Sequence, residues 1–168
     1  IGGVSSYSSK ASFTNSKNTA AITIADGAKV DGAALFISGI ASQGLTADKL
    51  ENCSNSGKIY VGSKATAGTK SVIAGLVTDK ATIGTVSGCH NTADIEIKDA
   101  TFQSWAIIGG LFAGEAGTVV ETFQNCSNSG NISVASNAAM PGLHVSGCDG
   151  YALIVNTLMD NVDNSGNI

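Results

Sequence analysis

Arginine is absent from this 168-residue chain, and only 13% of its residues carry charge. Nine lysines against 13 acidic residues leave a formal charge of -4 and an isoelectric point near 4.9. The basic stripe that a nucleic-acid groove needs is therefore missing, and so is the polybasic segment that holds a protein to an anionic membrane. Aromatic residues are scarce at 5%. No run of 18 apolar residues exists to cross a bilayer, and no helix-length 3.6-residue pattern appears; Ala-rich stretches such as Ala65 to Ala67 are broken by Thr and Gly. The chain opens on Ile1 without the charged, apolar and small-residue succession of a leader, and Ile168 falls inside a recurring motif. The expectation is an excerpt of a longer protein.

What is present is small. The mass of 16.8 kDa divided by 168 residues is 100 Da per residue, with 21 glycines and many Ala, Ser and Thr. A hydrophobic fraction of 43% and a mean hydropathy of +0.19 are too apolar for a disordered tail. One folded domain spanning 1-168 is expected.

The smallness comes with a repeat. Phe13 to Ile22, Leu50 to Ile59, Val86 to Ile95, Phe123 to Ile132 and Met159 to Ile168 are versions of one motif, anchored by Asn18, Asn55, Asn91, Asn128 and Asn164 at intervals of 37, 36, 37 and 36 residues. A second anchor runs between them at Gly3, Gly39, Gly75, Gly110 and Gly142, at intervals of 36, 36, 35 and 32. The shortfall is recovered downstream, which reads as an exchange of loop length around a fixed frame. The coils are then 3-38, 39-74, 75-109, 110-141 and 142-168.

Ile22-Thr-Ile24, Ile59-Tyr-Val61, Ile95-Glu-Ile97 and Ile132-Ser-Val134 alternate with the period of 2 of a strand buried on one face. A unit of 36 or 37 residues with about three short strands excludes the helical repeats of similar length and is too short for a propeller blade. The sequence therefore predicts an all-β fold, a parallel β-solenoid (β-helix) of 168/36.5, or 4.6, coils around a three-sided core. Equivalent residues would stack at roughly 4.8 Å over an axis of about 22 Å.

Stacking turns equivalent positions into ladders. Cys53, Cys89, Cys126 and Val162 share one place, two residues before the Asn anchor, and Phe13, Leu50, Val86, Phe123 and Met159 another. Val in a cysteine's place favours buried thiols acting as small hydrophobes; a disulfide within the set and a metal site are the alternatives, though no His or acid shares the ladder. Cys148 reads as outside the register, in the last loop, exposed or paired with a part of the chain beyond the excerpt. The Asn ladder reads as structural, each amide satisfying its own bend and the next coil, with Gly57, Gly130 and Gly166 expected to ease positive φ there. No calcium site is expected, since Asp163 alone does not supply an acidic ligand pattern. Ile108-Gly-Gly-Leu-Phe-Ala-Gly114 lacks the Lys-Ser/Thr tail of a phosphate loop.

No catalytic set stands out. His90 and His144 fall in different anchors, and Ser is too common for a triad to carry information. The acids Asp79, Asp94, Glu96, Asp99, Glu115 and Glu121 form no fixed pair of the kind glycoside cleavage requires. Glu96, between buried Ile95 and Ile97, should face outward in a row with Thr23, Tyr60 and Ser133. That row differs in size and charge from coil to coil, which suits a stalk or a recognition surface and not a lattice such as ice. Phe102 and Trp105 would flank Tyr60 if the coils stack, so Tyr60, Glu96, Phe102 and Trp105 are the candidate binding residues. No cofactor or metal site is expected.

Gly75-Leu76-Val77 and Gly110-Leu111-Phe112, together with Cys53 to Val61 and Cys126 to Val134, resemble the glycine-leucine-glycine (GLUG) repeats of large bacterial surface and secreted proteins, with similar arrays in adhesin-like proteins of gut Bacteroidetes. The resemblance covers nearly the whole chain. The family's second Gly after the Leu-Val pair is displaced to Gly114 in one copy and replaced by Thr78 in another. The resemblance implies an extracellular or cell-surface location, a solenoid architecture and a structural or adhesive role, with no catalytic set to transfer. In a eukaryotic source, Asn52-Cys-Ser54, Asn125-Cys-Ser127 and Asn131-Ile-Ser133 would be formal glycosylation sequons.

The expected function is an extracellular repeat module acting as stalk, recognition surface or assembling surface protein; the alternative is a carbohydrate-binding or polysaccharide-cleaving β-helix. Expected partners are adjacent coils or domains, a second copy stacked end to end, and a protein or glycan ligand, with no nucleic acid and no direct membrane insertion.

Overall fold

The computed structural model describes residues 1-7, 10-30, 32-115 and 117-168, and it is all-β. Every paired strand is parallel, and the pairs stack into a β-solenoid of about four turns. Among the described residues no helix is long and apolar enough to cross a membrane.

The three segments expected in each coil are all present. The run ending at the repeat glycine forms a four-stranded sheet of Leu35–Ser38, Ser71–Ala74, Trp105–Gly109 and Gly142–Ser146, the glycine sheet. The stretch through the cysteine forms the largest sheet, the cysteine sheet, with Phe13–Thr14, Thr46–Glu51, Thr82–Ser87, Thr118–Asn128 and Leu153–Asn164 in successive coils. The alternating pairs Ile22–Ile24, Ile59–Val61, Ile95–Ile97 and Ile132–Val134 form the isoleucine sheet. Two short sheets complete the circuit: Val77–Thr78 with Phe112–Ala113, and Lys29–Val30 with Thr66–Ala67 and Thr101–Phe102.

The interior has two lobes. One holds Ile40, Leu45, Leu50, Cys53, Leu76, Val86, Cys89, Leu111, Phe112, Phe123 and Cys126. The other holds Ile37, Ile59, Val61, Ile73, Ile95, Ile97, Phe102 and Ile108. The predicted apolar ladder stacks Phe13 against Leu50, Leu50 against Val86, Val86 against Phe123 and Phe123 against Met159; Leu50, Val86 and Phe123 are buried in the first lobe, whereas Met159 in the last coil is exposed. Burial of these side chains removes apolar surface from water at about 25 cal/mol per Å², and it is available only because coils stack in register.

Between the lobes the chain pinches. The glycine of each coil lies against the anchor asparagine of the same coil: a Cβ built on Gly39 would stand 2.4 Å from Asn55 Cγ, one on Gly75 2.4 Å from Asn91 Cγ, and one on Gly110 2.4 Å from Asn128 Cγ. The two sequence anchors are thus two sides of one waist.

That contact also corrects the last coil. The glycine seated against Asn164 is Gly147, whereas Gly142 pairs with Trp105 at the start of a strand. With Gly147 the final interval is 147 minus 110, or 37, and no loop exchange is needed. The last coil accordingly starts at 147 and not at 142. Cys148 then falls in register after all: its carbonyl accepts the Leu111 N–H at 3.1 Å, as the Leu111 carbonyl accepts the Leu76 N–H at 2.9 Å. It is half-buried and packs against the first lobe.

The bends differ from expectation too. Positive φ occurs at Asn15, Asn52, Gly88, Asn125 and Asn161, with φ between 49° and 59°, three residues before each ladder asparagine, and not at Gly57, Gly130 or Gly166. Asn enters this left-handed region at less cost than other side chains, while Gly57 and Gly130 are small because the carbonyls of Ala20 and Ala93 approach them from the coil before.

Candidate functional site

The polar ladder is continuous and directional. Asn18 Nδ2 donates to Asn55 Oδ1 at 2.8 Å, Asn55 to Asn91 at 2.9 Å, Asn91 to Asn128 at 2.7 Å and Asn128 to Asn164 at 2.7 Å. Several rungs use their second proton on the carbonyl two residues on, as Asn91 does with Ala93 at 2.9 Å. These amides are consumed by the fold; the inner rungs Asn55, Asn91 and Asn128 are buried with both the side-chain oxygen and nitrogen hydrogen-bonded, which stabilises it.

Cys53, Cys89 and Cys126 are buried free thiols, with Val162 on the next rung. The hydrogen bond with Cys126 and burial push the Cys89 thiol up to about 12; the hydrogen bond with Cys89 and burial push Cys53 up as well. The Cys53 and Cys89 thiols so held are packing groups, not nucleophiles; the hydrogen bond with Cys89 lowers Cys126, whose burial keeps it out of reach of solvent. Among the described residues no three His, Cys, Asp or Glu side chains converge on a common point.

The outward row is as expected: Thr23 pairs with Tyr60, Tyr60 with Glu96 and Glu96 with Ser133. Glu96 is clamped by Lys58 and Lys98. Hydrogen bonds from Lys58 and then Lys98 hold its carboxyl below the ordinary range, and Lys58 Nζ lies 5.6 Å from the centre of the Tyr60 ring. The charges of this face are spent on one another.

Phe102 and Trp105 do not join Tyr60. Phe102 is 1% exposed inside the second lobe, because position 102 faces inward beside Ala67. Trp105 is 40% exposed, but it lies on the glycine sheet, separate from the isoleucine sheet that carries Tyr60 and Glu96. Alternate residues of its strand point to opposite faces: Ala106 and Ile108 enter the second lobe, while Ile107 packs with Val72, Ala74 and Ala113 on the outer face. Trp105 shares that outer side.

There it meets two residues that sequence reasoning missed. The Trp105 ring centre is 6.5 Å from His144 and 6.0 Å from Tyr151, both edge to face, and His144 and Tyr151 are 4.8 Å apart. Lys80, Trp105, Glu115 and Tyr151 line a cavity of about 190 Å³. Glu115 is paired with Lys70 at 2.5 Å, and Lys70 lies 5.2 Å from the centre of the Phe36 ring. The segment bearing Tyr151 is pinned by Asp149, whose Oδ2 accepts the Leu153 N–H at 3.0 Å; burial pushes the Asp149 carboxyl above its ordinary range. His144 was legible in principle: aligning Gly147 with Gly110 puts it opposite Ile107, two residues from Trp105's partner Gly142.

No family model, no curated protein and no solved structure matches the chain. Its own geometry therefore carries the functional reading.

A second depression, of about 450 Å³, crosses the outer face of the cysteine sheet and is lined by Lys10, Thr46, Asp48, Gly84 and Glu121 among others. Both Glu121 oxygens are engaged, by Asn156 Nδ2 at 2.7 Å and Thr157 Oγ1 at 3.3 Å. His90 is exposed on the short strand His90–Asn91, with Nδ1 2.9 Å from Ser127 Oγ.

Proposed function

We propose that this chain is a stacking module of an extracellular surface protein of the GLUG-like kind, serving as stalk, recognition surface or assembling element. The observation that supports it is the direction of the asparagine ladder. Each rung donates towards the C-terminal coil, so the Asn18 end presents an acceptor and the Asn164 end a donor. The end coils also leave apolar ladder residues in water, Ile1 and Val4 at one end and Met159 at the other. Open parallel edges of this kind are covered in stable solenoids by further coils, a cap or another subunit.

Electron microscopy of the parent protein, with antibody labelling of intact source cells, tests this reading. Rods lengthened by this module and labelling without permeabilisation are the expected result. Labelling that appears only after permeabilisation overturns the surface role, and isolated capped particles overturn end-to-end assembly.

A second reading, carbohydrate recognition, is favoured by one specific observation: an exposed Trp105 in a cavity walled by Tyr151 and flanked by Lys80 and Glu115. Aromatic faces stack on the C–H face of a sugar ring while charged groups bind its substituents. The geometry supports binding over cleavage, since Glu115 is tied to Lys70 and no second acid lines the cavity.

A further inference from the structure

We infer that the cavity beside Trp105 takes a single acidic sugar residue of the uronic-acid class, its ring stacked on Trp105 with Tyr151 at its edge and its carboxylate at Lys80. The inference rests on the carbohydrate-recognition reading and goes beyond it in naming the charge and size of the ligand.

Three observations converge. First, the walls are aromatic and accessible: Trp105 is 40% and Tyr151 37% exposed in a chain with one Trp and three Tyr. The neighbouring coil has Gly142 opposite Trp105, and a Cβ there would stand 3.3 Å from Trp105 Cβ.

Second, the cavity offers an unpaired cation in a chain that carries -4. Its charged lining is Lys80 and Glu115, and Lys70 reaches Glu115 from beside it. Glu115 is matched by Lys70, whereas Lys80, among the described residues, has no carboxylate within ion-pair distance. One lysine is left over, and an anion answers it.

Third, the volume of about 190 Å³ is below the roughly 300 to 1,000 Å³ of cavities that enclose drug-sized ligands. It suits one six-membered ring carrying a carboxylate. Recognition of one ring is weak by itself, with a dissociation constant on the order of 1 mM, and a surface array of such modules gains strength by multivalency.

The single Trp makes the test direct, because indole fluorescence reports only this site. The chain is titrated with methyl glucuronoside, with neutral methyl glucoside and with acetate. Expected are a saturable change with the glucuronoside, a response at least several-fold weaker with the glucoside and none with acetate. Added salt should weaken the glucuronoside response and leave the glucoside response unchanged. Lys80→Met should reduce the glucuronoside to the level of the glucoside, with the urea unfolding midpoint unmoved to show that the coil is intact. Tyr151→Ala should abolish both responses.

Equal binding of the two sugars, or a Lys80→Met variant that keeps the preference, overturns the acidic-sugar assignment and leaves carbohydrate recognition standing. Acetate acting like the glucuronoside reduces the site to a lone ion pair and overturns it too. Silence towards all three overturns both this inference and the recognition reading.

Discussion

Gly75 and Asn91 touch across the waist of the coil: a Cβ on Gly75 would stand 2.4 Å from Asn91 Cγ and 2.0 Å from the Gly110 carbonyl oxygen of the next coil. These residues belong to different sequence anchors 16 positions apart, and their contact divides the core into two lobes. The requirement for glycine here comes from proximity. Gly75 has ordinary φ, so backbone strain plays no part.

Gly75→Ala is therefore expected to destabilise the chain by about 1–3 kcal/mol, the range of overpacking in a closed core. The backbone on one side and the ladder amide on the other leave the methyl no room. Urea unfolding of the variant beside Gly27→Ala checks it. Gly27 has a positive φ of 70° but nothing within 4 Å of its Cβ position, so it reports strain without crowding. A Gly75→Ala midpoint equal to wild type would refute the waist.

Asn91 is buried, and its removal strands two neighbours. Asn91→Leu leaves Asn55 Nδ2 without its acceptor and Asn128 Oδ1 without its donor. Each buried group so orphaned costs about 1–3 kcal/mol. Asn164→Leu, at the exposed end of the ladder, strands only Asn128 Nδ2, so a loss at least twofold smaller is expected. Comparable losses in the two variants, measured by denaturant unfolding, would show that the ladder does not act rung by rung.

The thiols should separate by position. With a disulfide-exchange reagent near neutral pH, Cys148 is expected to react first, and Cys53, Cys89 and Cys126 only on unfolding. Cys148 is half-buried, and burial, Asp163 and Asp149 raise its thiol pKa, so its rate should climb as the pH is raised. Prompt modification of two or more thiols in the folded chain would contradict the packing role. Cys126→Val should cost less than about 1.5 kcal/mol, because Val162 already fills the next rung.

Much of the frame was readable before any coordinates. The spacing of Asn18, Asn55, Asn91, Asn128 and Asn164 states the coil length, and the period of 2 in Ile59 to Val61 states which side chains enter the core; both are consequences of a translation of one coil onto the next. Residues at equal phase then stack whatever the path of the coil, which is why the pairings Tyr60 with Glu96 and Leu50 with Val86 followed directly.

Contacts across a coil are a different matter. They depend on where the chain bends, and the bends turn on left-handed residues such as Asn52 and Asn125, which repeat with the same spacing as the ladder asparagines three positions later and so do not stand apart from them in the sequence. Only the tertiary structure brought Gly75 to Asn91, placed Phe102 inside and Trp105 outside, and set Gly147 in place of Gly142 as the last glycine of the waist. By itself the sequence determined the repeat and its stacked ladders, through periodicity. The folded path alone decided which ladders face each other and that Trp105 and Tyr151 share a cavity, because one common period fixes which residues stack and leaves open which phases meet across the coil.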